Sequence, residues 1–301
     1  MRNPYKRLDI FTCVHEAHRG FRNRISVYHI LREKKCYPHG CIYFRWRCKL
    51  LNKRSKCHRG FTHVGRKCFG CKYFYEEKIH NYPELQIREE AYREFVKELE
   101  AFDDWLESVR GKDLEFSGVV DGVKPRFVQK VFPRKSTLSF RGYLLVFKEM
   151  FIGREHIQDY VYARISSDYY QRLKLGAGDR IEGFARVKLD QGRLVLHHLK
   201  GIQVYERGEP PIWNHEAVLI ARETATQFPD QPEGCVQCPF GALVDVEYLR
   251  DHHSHSRRQL ICLKGVQDYR DCYVKVEYCG LDKEASDAPD EGQCATSGKV
   301  Y

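Results

Sequence analysis

Cys48, Cys57, Cys68 and Cys71 follow a C-x8-C-x10-C-x2-C spacing, and Cys235, Cys238, Cys262 and Cys272 follow C-x2-C-x23-C-x9-C. A tetrahedral structural zinc ion takes four thiolate or imidazole donors, typically one tight Cys-x-x-Cys turn and a second pair from further along. In "CFGC" and "CVQCPFG" a glycine or proline stands where the chain must turn to aim backbone N–H groups at sulfur. The expectation is therefore zinc at both sets. Cys13, Cys36, His39 and Cys41 offer a second N-terminal site, with His15, His18, His58 and His63 as further imidazole donors. Four-cysteine sets also hold iron–sulfur clusters, the alternative cofactor. The spacings match neither the C-x2-C-x2-C-x3-C-P run nor the plant-type C-x4-C-x2-C, which favours zinc.

The residues between the first cysteines point to a ligand. Residues 1–80 hold 20 Lys+Arg against 5 Asp+Glu, a net +15, which leaves 31 against 36, or −5, for the rest of the 301-residue chain. Arg45, Lys56, Arg59, Arg66, Lys67 and Lys72 are interleaved with Phe44, Trp46, Phe61, Phe69 and Tyr73. Cations for phosphates and rings for bases are what a nucleic-acid-binding surface requires. Thirteen cysteines, an odd count in a chain this long, argue against a secreted disulfide scaffold. No apolar run is long enough to span a membrane and no secretory leader precedes the first motif, so the expected compartment is the cytoplasm.

Four pieces and a tail must position these residues. Residues 1–80 form a basic metal-bound domain too polar to close a core alone. Residues 81–112 form a long amphipathic helix, with Tyr92, Phe95, Val96, Leu99, Phe102, Leu106 and Val109 at three- and four-residue steps; its 84–110 stretch is also where a protein partner would dock. Residues 113–207 read as five strands with a short helix, "SDYYQRLKL", between the third and fourth, and a closing hairpin through Asp190-Gln191-Gly192. Residues 208–280 form a small C-terminal domain around the second cysteine set, and 281–301 a polar, disordered tail. The fold class expected is thus a mixed multidomain chain: metal-bound domain, long helix, five-stranded β-barrel, zinc-bound C-terminal domain.

Two resemblances accompany these readings. The cysteine sets resemble zinc ribbons in general. The strand and helix order of 113–207, with "LGAGDRIEG" from Leu175 to Gly183 leading into the fourth strand, resembles the OB-fold of nucleic-acid-binding proteins. That resemblance implies a small barrel whose second and third strands meet single-stranded nucleic acid. It makes Phe140, Lys148, Tyr160, Tyr162 and Arg164 the even-numbered candidate set, and Arg141, Tyr143 and Phe147 the opposite face.

Other motifs fail on their chemistry. Gly60-x4-Gly65-Arg66-Lys67 has arginine where a phosphate-binding loop needs lysine, and lysine where it needs a hydroxyl for magnesium. "DHHSHS", Asp251 to Ser256, looks like one element of a phosphoesterase family, without that family's further aspartate motifs. The sequence thus points to a zinc-stabilised, non-enzymatic protein that binds single-stranded nucleic acid, RNA slightly ahead of DNA. The alternatives are an iron–sulfur or metal-dependent enzyme with an accessory barrel, and a protein-binding adaptor on a nucleoprotein.

Overall fold

The computed structural model describes residues 1–16, 18, 24–51, 57–250 and 253–273. The chain divides into two units, Lys6–Phe95 and, separately, Met1–Tyr5 with the chain from Val96 onward. Lys56, Asp251, His252 and the 281–301 tail lie outside the described residues.

In the Lys6–Phe95 unit, strands β1 (Phe11–Thr12) and β2 (Arg24–Ile25) pair with each other, and β1 pairs with β5 (Glu84–Leu85), so that Phe11 faces Ile25 and Leu85. Between them in sequence, β3 (Cys41–Cys48) and β4 (Phe74–Asn81) form a separate two-stranded ribbon. The expected metal-bound domain is corrected here. Ile10, Phe11, Ile25, Val27 and Ile30 are fully buried, and Tyr37 and Tyr92 pack on the Phe11 ring at 5.0 and 6.1 Å. Residues beyond position 80 complete an apolar core that the segment 1–80 lacks when read alone.

The separate helical piece is corrected too. Glu84 and Leu85 are drawn into the β1 sheet, and the helix, α1, runs Glu89–Val109. Its residues are divided between the two units at Phe95, so it is not a domain of its own. Glu89 and Glu90 lie in its first turn, where carboxylates meet the positive end of the helix dipole. Gly111, at φ 72°, follows its end. Among the described residues no helix is long and apolar enough to cross a membrane.

The other unit is built on β6 (Leu114–Val119), β7 (Gly122–Val131), β8 (Ser136–Phe147), β9 (Met150–Ile152), β10 (Glu155–Ile157), β11 (Val161–Ile165), β12 (Arg180–Asp190), β13 (Arg193–Glu206), β14 (Thr226–Gln227), β15 (Gly241–Arg250) and β16 (His253–Cys262). They form one mixed sheet in the order β10-β9-β6-β12-β13-β11-β8-β7-β15-β16-β14. A self-contained five-stranded barrel is therefore not what forms. β9 and β10 extend the sheet beyond β6, and β15 joins β7 in parallel, Asp245 opposite Val128. That parallel pair also corrects the separate zinc-ribbon-like C-terminal domain: backbone hydrogen bonding makes Gly241–Arg250 and His253–Cys262 part of the same sheet. The pairings within 114–206, with β11 antiparallel to β8 and parallel to β13, are loosely compatible with the OB resemblance.

Local chemistry fixes the bends. Gln191 and Gly192 both have positive φ, 48° and 80°, as a two-residue turn between β12 and β13 demands. Ser166 caps α2 (Ser167–Leu173) by accepting from the Tyr169 N–H at 3.2 Å. The Tyr170 ring stacks on Tyr143 at 3.9 Å, and its hydroxyl donates to the carbonyls of Leu175 and Trp213.

The "LGAGD" run is a latch. Asp179, 1% exposed, accepts from the Gly176 N–H at 3.0 Å and the Gly208 N–H at 2.8 Å, and meets Arg207 at 3.2 Å. A Cβ on Gly176 would lie 1.8 Å from the Glu209 carbonyl oxygen.

Lys124 on β7 ties in the C-terminal residues. Its buried ammonium donates to the carbonyls of Val236 at 2.5 Å and Gly241 at 3.0 Å. Burial pushes its pKa down to about 8, against the opposing pull of the Cys238 thiol. A lysine in the unfolded chain titrates near 10.4, so between these values the unfolded state binds more protons and stability rises with pH. We expect the unfolding free energy of the wild type, minus that of Lys124→Met, to grow by about 2–3 kcal/mol from pH 8 to pH 10.5. Urea unfolding of both proteins across that range checks it; a difference independent of pH would contradict the buried-ammonium account.

Candidate nucleic-acid interface

The β3–β4 ribbon presents a sequence alternation to solvent. Ile42 pairs with His80, Phe44 with Lys78, Trp46 with Glu76 and Cys48 with Phe74. Side chains of directly opposed residues share a face, so these eight line one side of the ribbon. Ile42, Phe44 and Trp46 are 51%, 58% and 37% exposed, and Phe69 in the connecting loop is 52% exposed. Phe69 meets the Trp46 ring edge-on at 5.0 Å and Phe74 at 5.2 Å. Two tight turns carry Phe69 there: the Gly60 N–H donates to the Cys57 carbonyl and the Cys71 N–H to that of Cys68, with Gly60 and Gly70 at φ 74° and 79°. The indole N–H of Trp46 donates to Glu76 at 3.1 Å, which fixes the ring.

The expected cations are divided between the connecting loop and the other side of the ribbon. Arg66, Lys67 and Lys72 are exposed in the loop, Lys72 over the Tyr73 ring at 4.9 Å. Arg59 donates to the Lys67 carbonyl at 3.0 Å and lies over Phe61. Arg45 points away from Trp46: it donates to Glu16 at 2.8 Å and to the Tyr43 hydroxyl. Lys78, His80 and Ile42 on the exposed face were missed by sequence reasoning, although the period of two in "CIYFRWRC" and "FYEEKIHN" carries them once the two strands are paired.

Among the described residues, no group of three or more His, Cys, Asp or Glu side chains is placed to hold a metal ion. Cys235 and Cys262 pack with Phe228, Leu260 and Val266 in an apolar cluster, with Cys272 against it, and burial pushes the Cys238 thiol up. Cys13 accepts a hydrogen bond from Asn81 at 3.0 Å; Cys36, pushed up to about 11 by burial, and Cys41 are its neighbours, whereas nothing brings His39 to them. Cys48, Cys57, Cys68 and Cys71 are half-buried around the loop turns. The His15 ring instead packs on His18 at 5.1 Å, and His18 Nε2 lies 3.2 Å from His29 Nε2; burial drops His18 to about 4.

In the sheet unit the even-numbered set is split. Phe140 packs among Phe127, Tyr143 and His215; Lys148 pairs with Asp121 at 2.7 Å; the Tyr160 N–H bonds Asp159. Tyr162 and Arg164 do come together, within a group that the sequence did not reveal. The Arg193 guanidinium lies over the Tyr162 ring at 5.3 Å, and Arg164 bonds Asp190. Arg258 reaches Asp190 at 2.9 Å and Asp245 at 3.0 Å. Arg126 and Lys188 complete the group. Burial, then the neighbouring Arg164, lowers the pKa of both. Asp190 stays below the usual carboxylate range because Arg258, Arg164 and Lys188 outweigh its burial.

No protein-family model matches the chain. No curated protein matches it either. Among solved structures, asparaginyl-tRNA synthetase from Pyrococcus horikoshii is similar at a TM-score of 0.20 and 11% identity, over 51% of this chain; the match spans about half, 48%, of that chain. A likeness at that score carries no argument for fold or function, so the functional reading rests on the exposed face of the ribbon.

Proposed function

We propose that the protein binds single-stranded nucleic acid, RNA slightly ahead of DNA, and that the exposed face of the β3–β4 ribbon is the stacking platform. One observation carries this reading. Ile42, Phe44, Trp46 and Phe69 are exposed side by side in a unit, Lys6–Phe95, that holds 21 Lys+Arg against 9 Asp+Glu, or +12. Apolar rings held in water lose nothing by meeting a base face, and unpaired bases offer such faces where a duplex hides them. The surrounding excess of cations supplies the phosphate attraction, which is insensitive to sequence.

Fluorescence anisotropy with labelled single-stranded RNA, single-stranded DNA and duplex, across a salt series, tests it. We expect tighter binding of single strands, with log K falling linearly in log salt at about −0.7 per neutralised phosphate. Equal or tighter binding of duplex, or no binding at moderate salt, would discard the proposal.

A further inference from the structure

The group around Asp190 is chemically unbalanced. Lys188 on β12 stands opposite Val195 on β13, and Val195 opposite Tyr162 on β11, which puts Lys188, Arg193, Tyr162 and Arg164 on one face. Arg258 from β16 joins them through Asp190 and Asp245, and Arg126 from β7 lies beside Arg164: five cations to two anions among the described residues, with the exposed Arg141 beside Arg126 as a sixth cation. Gathering like charges in a half-buried place costs free energy that folding alone does not return. One donor is also left over. Arg126 gives one N–H to the Arg141 carbonyl at 3.3 Å, while its Nε is buried with no hydrogen-bond partner. Buried donors are ordinarily satisfied by protein or water, and this one is available to an acceptor.

Access and geometry agree. The side chains of Arg164, Asp190 and Asp245 keep about a quarter of their surface exposed, so solvent reaches the group. Arg258 bridges both carboxylates and holds the frame, while the Tyr162 ring beneath Arg193 fixes that guanidinium. Planar guanidinium forks match the oxygens of a tetrahedral oxyanion, which accepts several N–H bonds at once and carries the opposite charge.

We infer that this group is a binding site for a phosphate, held by Arg126, Arg164 and Lys188 beside the Tyr162–Arg193 stack. The phosphate has two possible sources, a nucleic-acid backbone or a free phosphate compound. The inference stands independently of the ribbon, which lies in the other unit.

The test is thermal unfolding and calorimetric titration of the full chain with inorganic phosphate and pyrophosphate, against chloride at matched ionic strength, for the wild type and Arg126→Gln. We expect both phosphates to raise the unfolding temperature of the wild type beyond chloride, and R126Q to weaken phosphate binding about tenfold with its own unliganded unfolding temperature nearly unchanged. If R126Q unfolds early, phosphorus NMR line-broadening of phosphate by the wild type and by Lys188→Gln gives the same comparison. Phosphate acting no better than chloride, or R126Q and K188Q both binding as the wild type does, overturns the site. A single-stranded oligonucleotide that displaces bound phosphate, and binds R126Q more weakly, assigns the backbone as source; phosphate binding that the oligonucleotide leaves untouched assigns a free compound. Phe44→Ala tests the ribbon separately, so failure of one reading leaves the other standing.

Discussion

Replacing Asp179 by alanine lowers the unfolding free energy by about 1.5–3 kcal/mol, the worth of a hydrogen bond to a charged group, here the one from the buried Gly176 N–H. The carboxylate is 1% exposed and satisfies two backbone N–H groups, Gly176 and Gly208, from segments 32 residues apart, together with the Arg207 guanidinium. Alanine removes both acceptor oxygens and the three bonds they accept, and leaves the buried Gly176 N–H without its partner, whereas the exposed Gly208 N–H can turn to water. Asparagine keeps one acceptor oxygen and costs less. Gly176→Ala strikes the same latch by another route, because its Cβ meets the Glu209 carbonyl oxygen at 1.8 Å and the backbone must move apart. Urea unfolding followed by tryptophan fluorescence reads all three. A loss under about 1 kcal/mol for D179A, the worth of a single ordinary hydrogen bond, would mean the latch is not formed. The remaining folded fraction should keep its nucleic-acid affinity, since these residues hold two chain segments together and face no proposed ligand.

That latch shows what could be read from the sequence and what could not. "LGAGDRIEG" announced a turn leading into a strand, and the period of two announced the strands on either side. The partner of Asp179, at Gly208, lies beyond the following hairpin, and nothing local marks it. The same limit explains the architecture. Local pattern supplied the strands, but β15 joining β7 in parallel is a pairing between residues more than a hundred positions apart, so 208–280 read as a separate domain. The cysteines show a related limit: spacing brings Cys235, Cys238, Cys262 and Cys272 to one another's neighbourhood, whereas their burial among Phe228, Leu260 and Val266 is decided by the sheet that carries them. The arginine group was invisible because its members come from five strands, one cation each. Arg193 and Lys188 sit in runs, "RLVLHHL" and "FARVKL", that read as ordinary edges of apolar strands.

The largest expected effect on binding is at the ribbon. Phe44→Ala with Trp46→Ala weakens single-strand affinity by about 2–6 kcal/mol if each ring stacks one base, since alanine substitution of a stacking aromatic costs about 1–3 kcal/mol per base. Phe44 is the cleaner single test. It is 58% exposed and stands opposite Lys78, so its removal takes a ring from solvent and leaves the core alone. Trp46 also loses its hydrogen bond to Glu76 and its edge contact with Phe69, and part of its effect comes through the loop that those contacts position. Charge and stacking then separate in one experiment. F44A should lower affinity at every salt concentration by the same factor, leaving the slope of log K against log salt unchanged. Lys67→Gln, which removes one exposed cation from the loop, should flatten that slope by about 0.7 and change affinity little at high salt. If instead F44A binds as the wild type does while K67Q weakens binding, the ribbon only displays charge and its rings face something other than bases. If neither variant changes affinity, the ribbon is not the platform and the stacking reading fails, while the arginine group keeps its own phosphate test.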